Sequence, residues 1–160
     1  MQVLVTGGAG YIGSHAVKVL LEQGYEVVVV DNLATGHKEA VDSRAKLYIG
    51  DISDEGFMHQ VFTENDIKGV IHFAAFKAVG ESVAEPIMYY RNNLVSFLNI
   101  LEVAKAHGGC NVLFSSSATV YGEADVLPVT EQTPRLPATS PYGNTKQMCE
   151  DILRDVVAAT

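Results

Sequence analysis

Tyr142 and Lys146 stand four positions apart in the string SPYGNTK at 140–146, a spacing that puts both on one face of a helix. A phenol beside an ammonium group can work as a general base, because the nearby cation favours the phenolate. The same pair is also an ordinary surface or packing arrangement, and spacing alone does not separate the two. Weight towards chemistry comes from Ser115, Ser116 and Ser117, which follow directly on the apolar run Val112 to Phe114. Ligands of doubly wound sheets bind where the strands end.

A second group lies near the amino terminus, where Thr6-Gly7-Gly8-Ala9-Gly10-Tyr11-Ile12-Gly13 spaces glycines at 7, 10 and 13. A phosphate can sit on a helix N-terminus only if the backbone comes close, and side chains at these positions would stand in the way. The loop follows one apolar run, opens a helical segment, and is followed by a second apolar run ending at Asp31. Together these make a dinucleotide-binding fingerprint. The plainer alternative is a tight turn that needs glycines, with Asp31 a turn former at a strand end. A carboxylate at 31 can accept hydrogen bonds from both ribose hydroxyls and would repel a 2′-phosphate, which favours NAD over NADP. Asp51 is a candidate for the adenine edge or, equally, the N-cap of the next helix.

The elements that must position these groups are legible as alternating runs. Val3 to Val5, Val27 to Val30, Val70 to Phe73 and Val112 to Phe114 read as strands buried on both faces, and Lys46 to Ile49 as a weaker fifth. Helical spacing covers Tyr11 to Gln23, with Ile12, Val19 and Leu20 as its apolar face and Gly24 closing it. A short helix is expected over Asp54 to Glu64, a long one from about Pro86 to His107, and a last one from near Tyr142 to the end. This order predicts an α/β fold: a doubly wound parallel sheet of the Rossmann type, in one domain. The irregular stretch Gly122 to Pro141 either lies over a site or simply connects sheet and helix.

At 160 residues, 48% hydrophobic and 19% charged, the chain can form a real core and has no signature of disorder. A formal net charge of -8 and no basic run argue against nucleic acid. No charged leader precedes the first strand and no apolar stretch approaches ~20 residues, so the reading is cytoplasmic, with no membrane partner. Cys110 and Cys149 read as reduced structural thiols. The five scattered histidines offer no HxxxH pair and no metal site is expected.

The glycine loop, the serines and the YxxxK spacing resemble the extended, sugar-nucleotide form of the short-chain dehydrogenase/reductase superfamily. Within it, DNL at 31–33, HFAAFKAVGESV at 72–83, FSSSATVYG at 114–122 and SPYGNTK at 140–146 are similar to the UDP-glucose 4-epimerases across almost the whole chain. The related dehydratases carry an acid pair after the strand-end Thr, whereas Ala118 and Thr119 follow Ser117 here.

The resemblance implies tightly bound NAD and interconversion of UDP-glucose and UDP-galactose through a transient 4-keto sugar. Tyr142 would be the base on the sugar 4-hydroxyl, Ser117 would hydrogen-bond that oxygen, and Lys146 would hold the nicotinamide ribose. Gly7, Gly10, Tyr11, Ile12 and Gly13 would form the pyrophosphate turn. Asp31, Asn32, Leu33, Ala34, Thr35 and Gly36 would surround the adenosine ribose, and Asp51 and Ile52 would meet the adenine. Phe73, Ala74, Ala75, Lys77, Asn92 and Ser115 would border the cofactor, and Lys77 would also touch the substrate. Phe73 and Ala74 are equally plain core residues, and Lys77 a plain loop lysine. A tyrosine titrates near ~10 when unperturbed, and one cation about 6 Å away supplies on the order of 3 kcal/mol, so the oxidised cofactor's own charge is expected to share the activation of Tyr142.

Family members are about twice this length, so the chain reads as an amino-terminal NAD-binding domain without its substrate domain. NAD binding with impaired turnover is expected of it alone, and a homodimer through the long helix and the Tyr142 helix. Another UDP-sugar epimerase of the superfamily, or a non-catalytic NAD-binding domain, are the alternatives.

Overall fold

Alternation along each valine-rich strand decides the layering. The structure, a computed structural model, describes residues 1–159. It comprises two compact units: Met1–Ala75 with Ser96–Ser115, and Phe76–Val95 with the chain from Ser116 onward.

The first unit holds a five-stranded sheet of β1 (Gln2–Thr6), β2 (Glu26–Asp31), β3 (Lys46–Ile49), β4 (Ile67–His72) and β5 (Asn111–Phe114). The order is β3-β2-β1-β4-β5 and every pairing is parallel, as expected for a doubly wound sheet. Val3, Val5, Val27 and Val29 point to one face and meet Val17 of α1 (Tyr11–Glu22). Leu4, Val28, Val30 and Val70 point to the other. There they bury Met58, Val61 and Phe62 of α2 (Glu55–Thr63) and Ile100 and Val103 of α5 (Ser96–Ala106). Sheet and helices thus bury both faces of β1 and β2, each large side chain contributing ~1.5–3 kcal/mol.

Three expectations for this unit are corrected. Ile12 and Val19 are 61% and 56% exposed, and Gly13 and Val17 form the buried stripe of α1. β5 is a sheet edge whose Leu113 is 57% exposed, so it is not buried on both faces. Asp51 does not cap α2: Asp54 does, accepting from Phe57 N at 3.0 Å, while Asp51 closes a local turn through Ser53 N at 2.8 Å. The sequence-distant His59 and His107 meet where α2 packs on α5, Nδ1 to Nε2 at 3.0 Å.

The second unit contains α3 (Val79–Ala84), which sequence patterning missed, α4 (Pro86–Tyr90) and α6 (Pro141–Ala158). The expected single helix from Pro86 to His107 is instead α4, a π-helical turn at Arg91–Val95 and then α5. The π turn buries Asn93, whose Oδ1 accepts from Phe76 N at 2.9 Å. Its Nδ2 donates to Phe76 O at 3.1 Å and to Thr145 Oγ1 at 3.0 Å. A wider turn brings a polar side chain inward without unravelling the helix. Ser140 caps α6 by accepting from Gly143 N at 3.1 Å, with Pro141 in the first turn. Residues 122–140 have no helix or strand. No helix of the described residues is long and apolar enough to cross a membrane.

Candidate active site

In the first unit, all the candidate cofactor residues lie at or beyond the carboxyl ends of parallel strands. Gly7 to Gly13 follow β1, Asp31 ends β2 and Asn32 to Gly36 follow it, Asp51 and Ile52 follow β3, Phe73 to Ala75 follow β4, and Ser115 follows β5. The strand order changes direction between β1 and β4, where doubly wound sheets bind ligands.

The glycine loop is shaped by close backbone approach. Gly7 has φ +73°, and a Cβ there would stand 2.8 Å from Ala74 N. A Cβ on Gly13 would stand 2.1 Å from Gly7 O and 2.8 Å from Gly8 Cα. Gly10 starts α1 and supplies no side-chain cap, and the adjoining Tyr11 and Ile12 are exposed. An uncapped helix start with exposed flanks fits a pyrophosphate. The same contacts show that two of the glycines are demanded by packing as well. Gly13→Ala is therefore expected to cost about 1–3 kcal/mol of stability without any ligand and to weaken NAD+ binding at least tenfold. Thermal melts without cofactor and calorimetric titration check the two parts separately.

Asp31, 9% exposed, is the strand-end turn former weighed for it. Its Oδ2 accepts from Ala9 N at 2.9 Å and its Oδ1 from Leu33 N at 2.8 Å. The carboxylate is thus a strand-end turn former that ties the glycine loop to the next one. Each oxygen keeps a second lone pair, which leaves acceptors for ribose hydroxyls. Leu33 sits at φ +59°, a left-handed conformation uncommon for leucine. Asn32, Ala34 and Thr35 are exposed, and Gly36 is half-buried. Ile52 is buried and its carbonyl accepts from Asn99 Nδ2 at 2.6 Å, so α5 holds the candidate adenine loop. Phe73 and Ala74 are partly buried and packed against the two cores, the plain role weighed for them; Ala75 is half-buried beside them.

In the second unit, α6 brings Tyr142 and Lys146 onto one face, with the Lys146 Nζ 6.0 Å from the Tyr142 ring centroid. Tyr142 is half-buried and Lys146 only 4% exposed. Burial pulls the Lys146 ammonium down to about 8, against a small opposing influence of the Cys149 thiol. Burial also pushes Cys149 up to about 11. A surface pair would be solvated, so the surface reading of this spacing does not hold.

Ser117 N-caps the single turn Ala118–Tyr121. Its Oγ accepts from Thr119 N at 3.3 Å and from Thr119 Oγ1 at 3.0 Å, so its own proton remains for another acceptor. This turn lies on α6: Gln147 Nε2 donates to Val120 O at 2.8 Å, and a Cβ on Gly143 would stand 3.2 Å from Thr119 Oγ1. Lys77 is exposed. Asn92 is half-buried in the π turn and its Nδ2 donates to Asn93 Oδ1 at 2.9 Å.

Asn93 and Asn99 are the polar residues that sequence reasoning passed over. The signal available was an amide at positions that fall on the buried side of the helical pattern.

Residues 4–160 match the model of the family described as GDP-mannose 4,6 dehydratase. The chain belongs to that family. Among curated relatives, the UDP-glucose 4-epimerase of Haemophilus influenzae is 49% identical over 166 residues, covering 99% of this chain and 49% of its own length. That of Bacillus subtilis gives the same identity and the same two shares. Among solved family structures, the UDP-glucose 4-epimerase of Bifidobacterium longum in complex with NAD+ and UDP superposes with a TM-score of 0.96 at 51% identity. The match covers 99% of this chain and 50% of that one. The chain spans about half the length of the relatives it matches.

Proposed function

We propose that the chain is the NAD-binding part of an enzyme that interconverts UDP-glucose and UDP-galactose at C4 through a transient 4-keto sugar. The observation that carries this reading is the buried ammonium of Lys146 beside the Tyr142 ring. Removing an ammonium from water is costly, and such groups gather at sites of chemistry. NAD, when bound, supplies a hydride acceptor at C4 that can return what it took. Tyr142 takes the proton from the sugar 4-hydroxyl as that bond is oxidised and gives it back on reduction. Ser117 donates its remaining proton to the same oxygen and steadies the charge developing there. Lys146 favours the phenolate and holds the nicotinamide ribose. Lys77 would contact phosphate and substrate, and Asn92 the cofactor.

Epimerisation asks for one base and a reversible oxidation. Eliminating water would also need an acid to protonate the leaving hydroxyl. Ala118 and Thr119, next to Ser117, supply none, which supports epimerase over dehydratase chemistry within the family. The lone pairs left on Asp31 support NAD over NADP.

The substrate domain that contacts the uridine nucleotide belongs to the same proposal, supported by the half-length coverage of the relatives. So does a homodimer through the long helix and the Tyr142 helix. Ile87 of α4 is 76% exposed, and Met148 and Val157 of α6 are 37% and 67% exposed, apolar surface that a second copy would cover. A cytoplasmic setting is compatible with the two free thiols.

The test is titration with NAD+ and NADP+, followed by assay of both UDP-sugars for C4 interconversion with absorbance at 340 nm recorded. NAD+ is expected to bind at least tenfold tighter than NADP+, and both sugars to reach one product ratio. Absence of NAD+ binding would end the proposal.

A further inference from the structure

The face of α6 next to Tyr142 and Lys146 is used in a way the reaction above leaves unexplained. Gly143, Gln147 and Glu150 recur at i, i+4 and i+7, one helical stripe. Each meets the segment around Ser117: Gly143 against Thr119, Gln147 on the Val120 carbonyl, and Glu150 on Ser116. The Ser116 hydroxyl donates to Glu150 Oε1 at 2.5 Å. The other oxygen, Oε2, takes Arg135 Nη1 at 3.1 Å, and Arg135 Nη2 reaches Asp151 Oδ2 at 2.7 Å. Asp151 is held in turn by Arg154 at 2.9 Å. Gln147 Nε2 also donates to the Leu136 carbonyl at 2.6 Å. The stretch 122–140 is therefore pinned to the same stripe by two of its own residues, Arg135 and Leu136.

We infer that Glu150, braced by Arg135, is a positioning residue that fixes where Ser117 presents its proton; the inference rests on the epimerase reading for what that proton does. Ser117 has extended backbone, φ -151° and ψ 149°, and consecutive residues of extended chain face opposite sides. Anchoring the Ser116 hydroxyl therefore fixes the direction in which Ser117 looks. A carboxylate suits this task, since hydrogen bonds to a charged acceptor are about twice as strong as neutral ones. With both carboxylate oxygens engaged, the Glu150 side chain has no freedom left to drift. The side chains of Glu150 and Arg135 are 27% and 31% exposed, so water screens the arrangement only in part.

The experiment compares Ser116→Ala, Glu150→Ala, Glu150→Gln and Arg135→Ala in the NAD+-bound protein by two readouts. The first is amide hydrogen exchange. Ser116→Ala and Glu150→Ala are expected to speed exchange at residues 117–121 by about tenfold while residues 143–153 of α6 keep their rates. Arg135→Ala is expected to do so by about threefold. Glu150→Gln, whose amide oxygen still accepts from Ser116, should stay within about threefold of the parent. The second readout is single-turnover reduction of bound NAD+ by UDP-glucose. Glu150→Ala is expected to slow it roughly 10- to 100-fold with little change in the half-saturating sugar concentration, and Glu150→Gln to recover most of the loss. Unchanged exchange at 117–121 in Glu150→Ala, or equal loss of protection across α6, overturns the inference. If the parent protein, assayed with its substrate domain, reduces no NAD+ while the exchange pattern holds, the epimerase reading falls and the anchoring role stands.

Discussion

Replacing Tyr142 with Phe is expected to slow oxidation at the sugar C4 by roughly a thousandfold while NAD+ affinity stays within about threefold. The phenol oxygen is the only group lost. The backbone carbonyl of Tyr142 still accepts from the Thr145 hydroxyl, at 2.7 Å, and the ring keeps its place beside the Lys146 ammonium. The N-cap by Ser140, two residues earlier, does not use the phenol and is untouched. Folding stability should therefore change by no more than about 1 kcal/mol. Single-turnover absorbance at 340 nm reads the chemistry, and calorimetric titration reads the cofactor. A residual rate within tenfold of the parent would remove Tyr142 from the role of base and leave it a packing residue.

Lys146→Met is expected to abolish turnover and yet make the protein more stable at neutral pH. The ammonium is 4% exposed and burial lowers its pKa from 10.5 to about 8. Between about 8 and 10.5 the unfolded chain holds a proton at this residue that the folded chain has released, so the contribution of Lys146 to stability rises with pH across that window. Below about 8 both states are protonated and the folded protein bears the net cost of holding the charge at this site, on the order of 3 kcal/mol. Methionine fills a similar volume without the charge. Urea unfolding should show the variant more stable by about 1–3 kcal/mol at pH 7, with the difference shrinking as pH approaches 10.5 and gone above it. Cys149, pushed up from 9.0 to about 11, contributes with the opposite sign between those values, in parent and variant alike, so the comparison between the two proteins reads the lysine. A variant less stable than the parent at pH 7 would mean that the lysine is held by contacts outweighing its desolvation. Gain in stability with loss of chemistry is the usual exchange where a site keeps a group its fold would rather not hold.

The strands were legible because runs of β-branched residues favour that element, and their register is seen only in the structure. The face of α1 was misread for a definite reason. Its buried stripe runs through Gly13 and Val17, and a glycine contributes no apolar side chain to a periodicity count, so the pattern was centred on Ile12 and Val19. The π turn was hidden in plain view at Asn92-Asn93: a polar pair inside an apolar helix marks a register change, but its direction depends on what Phe76 and Thr145 offer. Asp51 and Asp54 stand three apart at a helix start, and only the geometry of Phe57 N separates the cap from the turn former. Tyr142 and Lys146 were found by spacing, since both lie on one helix. Ser116 and Glu150 were not, because 34 residues separate them and nothing local links a serine to a glutamate that far along the chain.

The clasp at Asp31 limits how this protein's cofactor could ever be exchanged. Trading the aspartate for a small neutral residue, to make room for an extra phosphate on the ribose, would strand the amides of Ala9 and Leu33 that it now satisfies. A redesign would have to supply a fresh acceptor for both before any new preference could be seen. Under the proposed reading, recognition and loop architecture share one side chain, and neither can be altered alone.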